Sequence, residues 1–300
     1  MTEAKNVAGG GYTLVTGASG RIGNAFAGQF STKQQVIGLS RKKPEGDYAA
    51  VQGEFHSFED LRQLDPYDIS CVVHLAAVTG GCSEEDGLAI NVLGTRRLLR
   101  YALDRGCRKF VLASSIAAAG CLSDEFLPLQ LPIPDEHPCL AYDAYGFSKA
   151  MMEELTRYFQ RVVSDSDFIN LRIGLVDKTD VPHLFHAGDP LGWPFVNLAR
   201  VNLDDLLSAL GHAASAPLQP GARIFNVVNP RTNCADPVPE VLRSCLGSRA
   251  EQLDLSWYEK PGHSYDALYA TDNIQTALGF SSDDPTPPAD KPSWANITRV

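Results

Sequence analysis

A tyrosine and a lysine four residues apart, in Tyr145-Gly146-Phe147-Ser148-Lys149, have the types and spacing for proton transfer. On a helix an i, i+4 spacing stacks two side chains on one face. A lone phenol ionises near about pH 10 and is a poor base in neutral water. A neighbouring ammonium favours the phenolate and is expected to bring that value down toward the working range. Upstream, Val111-Leu112-Ala113-Ser114-Ser115 closes an apolar run with two hydroxyls. A hydroxyl there can hydrogen-bond a substrate oxygen that gains or loses a proton.

Those residues need a scaffold, and the chain spells one out. Apolar runs at 12–16, 35–39, 71–75, 109–113, 168–173 and 224–228 read as strands. Helical patterns at 21–31, 58–65, 88–105, 145–164 and 203–214 separate them. Runs this apolar suit strands covered on both faces, as in a parallel sheet. Strands alternating with helices predict a doubly wound α/β fold of Rossmann type, in which ligands bind at the carboxyl edge of the strands. From about residue 176 the pattern loosens. Residues 11–175 and 200–229 are expected to form a dinucleotide-binding domain. Residues 176–199 and 230–282 are expected to form a small substrate-binding lobe, and 283–300 an extended tail.

The dinucleotide is suggested by Thr16-Gly17-Ala18-Ser19-Gly20-Arg21-Ile22-Gly23, which follows the first strand and opens a helix. Gly17 permits a sharp exit, Gly20 a close approach of pyrophosphate and Gly23 tight helix–strand packing, while free N–H groups face the anion. Nicotinamide then supplies hydride transfer beside Tyr145 and a second positive charge near its phenol. At the end of the second strand stands Leu39-Ser40-Arg41-Lys42-Lys43, with no carboxylate to bond the ribose hydroxyls. Ser40 and Arg41 there suit a 2′-phosphate, so NADP is expected over NAD.

Composition narrows the partners. In 300 residues there are 26 Lys plus Arg against 36 Asp plus Glu, a net charge of −10, which disfavours nucleic acid. With 44% hydrophobic and 21% charged residues the chain reads as globular. No run reaches the ~20 apolar residues of a membrane span. Seven cysteines without a Cys-x-x-Cys pair suggest reduced thiols, no metal site and a cytoplasmic location. His137 and Cys139 lie close in sequence, but nothing orients the histidine as a base.

With glycine turn, strand-end serines and Tyr/Lys in this order, the chain resembles an extended short-chain dehydrogenase/reductase of the NAD(P)-dependent epimerase/dehydratase kind. The resemblance runs from about Tyr12 to Phe280 and takes in His74-Leu75-Ala76-Ala77, Asn91-Val92-Leu93-Gly94-Thr95, Asn202-Leu203-Asp204-Asp205 and Phe225-Asn226-Val227. It implies that Tyr145 is the proton donor or acceptor, Lys149 its electrostatic partner and a holder of the nicotinamide ribose, and Ser115 the catalytic hydroxyl. Ser115 is preferred to Ser114 because it lies five residues before Gly120, the family's spacing. Cofactor contacts are implied for Gly17, Ser19, Gly20, Arg21, Ile22, Gly23, Ser40, Arg41, Leu75, Ala76, Ala77 and Asn91. Glu54 and Phe55 are implied at the adenine and Ile173 at the carboxamide. A homodimer through the helices at 88–105 and 145–164 is implied in the same way.

Two departures from the family pattern bear on the reaction. Dehydratases carry Asp-Glu after the strand-end hydroxyl; here Ile116-Ala117 follows, which disfavours dehydration. Nucleotide-sugar epimerases place an arginine for the diphosphate where this chain has Leu198, with Arg200 offset nearby. The expected function is therefore an NADP-preferring oxidoreductase interconverting a carbonyl and a secondary alcohol on a small polar or sugar-like substrate. The alternative is a sugar or nucleotide-sugar epimerase with retained cofactor. A non-catalytic dinucleotide-sensing module is the reading from another class, opposed by the intact Ser115, Tyr145 and Lys149.

Overall fold

The computed structural model describes residues 10–177 and 183–282; residues 1–9, Pro182 with its neighbours and the 283–300 tail lie outside the described residues. Strands β1 (Tyr12–Thr16), β2 (Val36–Ser40), β3 (Ala49–Gln52), β4 (Ile69–His74), β5 (Lys109–Ser115) and β6 (Asp167–Ile173) are followed by the short β7 (Leu175–Val176) and β8 (Arg200–Val201), then β9 (Gly221–Val227). Seven of them form one sheet in the order β3-β2-β1-β4-β5-β6-β9, and every pairing in it is parallel. β7 and β8 pair separately.

The near-continuous apolar strands are buried on both faces because neighbouring residues point to opposite sides. Leu14, Val72, Phe110 and Phe168 join one apolar cluster with helices α4 (Thr95–Asp104) and α5 (Ala144–Val162). Val15, Val73, Val111 and Ile169 join the other, with α1 (Arg21–Phe30), α7 (Leu203–Ser215) and α9 (Asp272–Leu278). A third cluster gathers Ile116, Phe126 and Ile133 with Phe195, Leu198, Val228 and residues of α8 (Val238–Leu246) and the segment after it. Remaining helical pieces are α2 (Phe58–Leu61), α3 (Glu84–Asp86) and α6 (Pro194–Asn197).

At the amino edge of the sheet Asp167 is fully buried, and its carboxylate accepts from Lys109 Nζ (2.8 Å), Arg223 Nη2 (2.7 Å) and Gln219 N–H (3.1 Å). That cluster ties β5, β6 and β9 together at the edge away from the glycine turn. Three donors offset the desolvation of a carboxylate that would otherwise be costly to bury.

Several elements differ from the sequence pattern. β3 is an addition: its pairing with β2 forms it, and of its residues only Val51 is buried. The helix expected at 58–65 splits into α2 and a 3-10 turn, Arg62–Leu64. The helix expected at 88–105 starts earlier, at Glu84, where Ser83 Oγ accepts the Asp86 N–H at 3.1 Å. Between α3 and α4 it widens into a π-helical stretch, Gly87–Gly94. No helix among the described residues is long and apolar enough to cross a membrane.

Candidate active site

The strand order reverses direction between β1 and β4, and a groove opens at their carboxyl ends, as open α/β sheets favour for ligands. Its volume is about 690 Å³. Gly17, Ser19 and Gly20 form its floor after β1; Ser40 and Arg41 line it after β2; Glu54 and Phe55 after β3; Leu75, Ala76 and Ala77 after β4. Gly17 has φ of 72°, and a Cβ there would come within 2.9 Å of the Ala76 nitrogen. A side chain would therefore be strained and would collide with the facing wall. Helix α1 starts at Gly20 without a side-chain cap and has no acidic residue in its first turn. Its leading N–H groups and partial positive charge are left for an anion, which fits a dinucleotide pyrophosphate.

One wall is fixed by a buried hydrogen-bond chain. Thr16 Oγ1 lies 2.7 Å from His74 Nδ1 and accepts the N–H groups of Leu75 (3.2 Å) and Ala76 (3.3 Å). His74 Nε2 lies 2.9 Å from Thr95 Oγ1. The two accepted amides leave the Thr16 proton for Nδ1, so the imidazole is neutral with its own proton on Nε2. Burial, with Lys149 nearby, pushes His74 down to about 3. The next turn of chain is clasped by Asn91, whose Oδ1 accepts from Val78 N–H at 2.9 Å and whose Nδ2 donates to Val78 O at 3.0 Å and Ser148 Oγ at 2.9 Å. Gly94 permits a further close approach: a Cβ there would lie 2.8 Å from both His56 Cβ and the Phe55 ring.

The residues expected to react meet where β5 ends. Asp143 caps α5 by accepting the Gly146 N–H at 2.7 Å, which places Tyr145 in the first turn. Gly146 is tight: a Cβ there would overlap the Ala117 carbonyl. The Tyr145 phenol lies beside the Ser115 hydroxyl, which favours its ionised form. Lys149 Nζ stands 5.6 Å from the Tyr145 ring centroid and donates to Ala113 O at 2.7 Å. The adjacent Ser114 turns to the helix instead, donating to Glu153 Oε1 at 2.6 Å.

The lowering of the Tyr145 pKa is expected with the nicotinamide charge beside it; the chain's own groups act the other way, since burial raises the phenol above its ordinary value, the Ser115 hydroxyl opposes that rise and the charge of Asp143 adds to it. Lys149 is itself desolvated, held at about 8 by burial against the support of Glu153, and its ammonium is engaged with the Ala113 carbonyl. A phenol raised in this way keeps its proton at rest. Its conversion to a base requires further positive charge beside it.

The side chains of other residues expected at the dinucleotide pack against the protein itself. The Arg21 guanidinium donates to the Asp177 carbonyl, Ile22 packs on the core beside α1, and Ile173 is buried in the same cluster. Gly23 allows the helix to abut the turn, since a Cβ would overlap the Gly17 carbonyl. Asn91 is fully buried and holds the loop rather than facing the groove. Lys42, Gly53, His56, Val78 and Ile90 line the groove without having been singled out; each adjoins a strand end or the π-helical stretch. The two nitrogens of His137 are taken by Leu129 N–H (3.0 Å) and Pro138 O (2.8 Å), so it cannot activate Cys139. Leu198 is buried in the third cluster, and Arg200 is ion-paired with Asp177. Among the described residues no group of His, Cys, Asp or Glu is arranged to hold a metal ion.

Against known families, the NAD-dependent epimerase/dehydratase family matches residues 13–176, more than half of the chain. The chain belongs to that family. This epimerase/dehydratase family member is 28% identical over 227 residues to UDP-glucose 4-epimerase GEPI48 of Cyamopsis tetragonoloba, covering 66% of this chain and 63% of that protein. It thus spans less than two thirds of that relative's length. It is also 28% identical over 200 residues to the NAD-dependent glucose-6-phosphate dehydrogenase of Haloferax volcanii, covering 59% of this chain and 73% of that one. A solved short-chain dehydrogenase/reductase superfamily protein of Agrobacterium tumefaciens, with bound NAD, matches with TM-score 0.65 over 91% of this chain and 92% of that one, at 21% identity.

Proposed function

We propose that the enzyme interconverts a carbonyl and a secondary alcohol on a sugar or sugar nucleotide and acts as an epimerase, its dinucleotide being reoxidised within each turnover. The observation that carries this reading is the placement of Ser115, at the end of β5, beside Tyr145 and Lys149 of α5, at the carboxyl edge of the sheet that bears the groove. Nicotinamide, when bound, accepts and returns the hydride and adds positive charge near the phenol. Ser115 holds the substrate oxygen. Tyr145 takes the hydroxyl proton as the alcohol carbon loses hydride, and gives it back to the same oxygen when hydride returns to the other face. Lys149 stabilises the phenolate between those two events. The third apolar cluster, with Leu198 and the α8 region, supplies the substrate side of the site in this proposal.

The epimerase relative favours this reading over the net oxidoreductase that the sequence alone puts first. A specific observation keeps net redox as the second reading: Leu198 is buried where the family's diphosphate-binding arginine would stand, and Arg200 is already paired with Asp177. An uncharged or monophosphorylated sugar fits that arrangement better than a diphosphate. Incubation with UDP-hexoses and free hexoses separates the two. Epimerisation converts one isomer into the other with no net change in reduced-nicotinamide absorbance, whereas net redox changes absorbance in step with turnover. Tyr145→Phe is expected to lower kcat by about 10²-fold or more while the dinucleotide still binds. Full activity in that variant refutes the proton-transfer role.

For the dinucleotide itself, we propose that Ser40 and Arg41 accept a 2′-phosphate. Ser40 Oγ lies 2.7 Å from Ser19 Oγ, and the exposed Arg41 and Lys42 line the groove beside it. The NAD in the solved relative speaks for the unphosphorylated form, so both are to be titrated. Arg41→Ala is expected to weaken NADP by about tenfold and to leave NAD unchanged. Equal effects on both overturn the assignment.

A further inference from the structure

Beneath the reacting residues lies a buried charge network that the proposed chemistry leaves unused. Glu153 follows Lys149 by one helical turn on α5, and the two side chains are each 2% exposed. The Glu153 carboxylate accepts from Arg172 twice, Nε to Oε1 at 2.9 Å and Nη2 to Oε2 at 2.8 Å, and from Ser114 Oγ at 2.6 Å. Arg172 is 3% exposed, and its remaining Nη1 donates to the His137 carbonyl at 3.0 Å. Ser114 and Arg172 are register partners on β5 and β6, one residue before Ser115 and Ile173. A single carboxylate therefore joins the helix of Tyr145 and Lys149 to the strand end that carries Ser115.

Stability alone is a poor reason for such a network. Apolar side chains of similar volume fill an interior at least as well as a buried ion pair. The chemistry of Lys149 gives a better one. Its ammonium is cut off from water, and its direct hydrogen bond is to a carbonyl, Ala113 O, not to a carboxylate. The titratable groups facing it are Tyr145 and Glu153 on its own helix, His74 at the end of β4 and Cys82 on the loop that follows. His74 is neutral. Of these groups Glu153 is the anion. Arg172, from β6, faces Glu153 and is ion-paired with it at 2.8 Å.

The geometry points to Glu153 as a positioning residue of the reaction: it holds Lys149 in its cationic form and locks the Ser115 strand end to the Tyr145 helix. The inference rests on the reading of Lys149 as the partner of Tyr145. Burial brings Lys149 to about 8 with Glu153 opposing that fall, so removal of the carboxylate lets the amine lose its proton at lower pH. Arg172 remains as a second buried cation when Glu153 alone is removed, which increases the effect.

The test is the pH dependence of dinucleotide binding by calorimetry, read on wild type, Glu153→Gln and the double variant Glu153→Gln/Arg172→Met. It needs no substrate, so its failure is distinct from failure of the epimerase reading. In wild type the affinity for NADH is expected to fall as pH rises through the Lys149 value. In Glu153→Gln that fall is expected about one pH unit or more lower. The double variant leaves no lone buried cation and tests the same point if the single variant does not fold; its fall also moves down, by less. Where a substrate is in hand, the alkaline limb of kcat/KM moves with the binding curve. An unmoved fall in whichever of the two variants folds, with affinity lowered equally at every pH, refutes the electrostatic role and leaves a structural one. Absence of any pH-dependent fall in wild type also overturns it.

Discussion

Replacing Thr16 by valine removes one hydroxyl with almost no change of shape, and the structure says what should follow. Thr16 is fully buried and His74 is 1% exposed. The hydroxyl donates to His74 Nδ1 and accepts from two amides at 3.2 and 3.3 Å, long enough to be weak. With valine in place, Nδ1 faces a methyl group. The imidazole cannot escape by changing tautomer, because protonating Nδ1 strands a donor where an acceptor was stranded before. A stranded buried polar group costs about 1–3 kcal/mol, so with the weak amide bonds a loss of about 2–3 kcal/mol is expected. Urea denaturation reads this as a lower midpoint at unchanged slope. Thr16→Ser, which keeps the hydroxyl, should lose clearly less. Because the freed amides belong to Leu75 and Ala76 in the groove wall, dinucleotide affinity should fall as well. A Thr16→Val protein within about 0.5 kcal/mol of wild type would refute the account of the wall.

Acid should destabilise the fold through the same histidine. His74 is lowered from 6.5 to about 3 by burial, so the unfolded chain takes up a proton that the folded one refuses. The contribution is complete above about pH 6.5 and declines as pH falls toward 3, by up to about 1.4 kcal/mol per unit. His137, also lowered by burial, adds to the slope. Denaturation midpoints at pH 7 and pH 5 check this, and equal values contradict it. Gly23→Ala should force the glycine turn open against the Gly17 carbonyl, lowering stability by about 1–3 kcal/mol and NADH affinity by at least tenfold in a calorimetric titration.

The strands most readily read from the sequence are those buried on both faces. In β1 Leu14 and Val15 enter opposite clusters, so both must be apolar and the run announces itself. The Tyr145–Lys149 pairing is legible for a similar reason, since helix geometry alone stacks them. β3 gives no such sign because its existence depends on β2, forty residues into the chain, and its own residues are half exposed. The π-helical stretch is a hydrogen-bonding choice that local composition does not encode. The part played by Asn91 depends on Val78 and on Ser148, 57 residues away. The rise that burial gives the Tyr145 phenol is not legible for the same reason: the spacing places a cation near it, while the burial comes from elements folded around the pair.

Gly94 sets a dimension of the molecule by what it lacks. With no methyl group at that point, the helix backbone lies flush against the Phe55 ring and the His56 side chain, two residues that line the groove. Adding carbon atoms there one at a time would act as a shim, prying the cleft apart from behind without touching a residue inside it. That end of the cleft can in this way be calibrated from the outside.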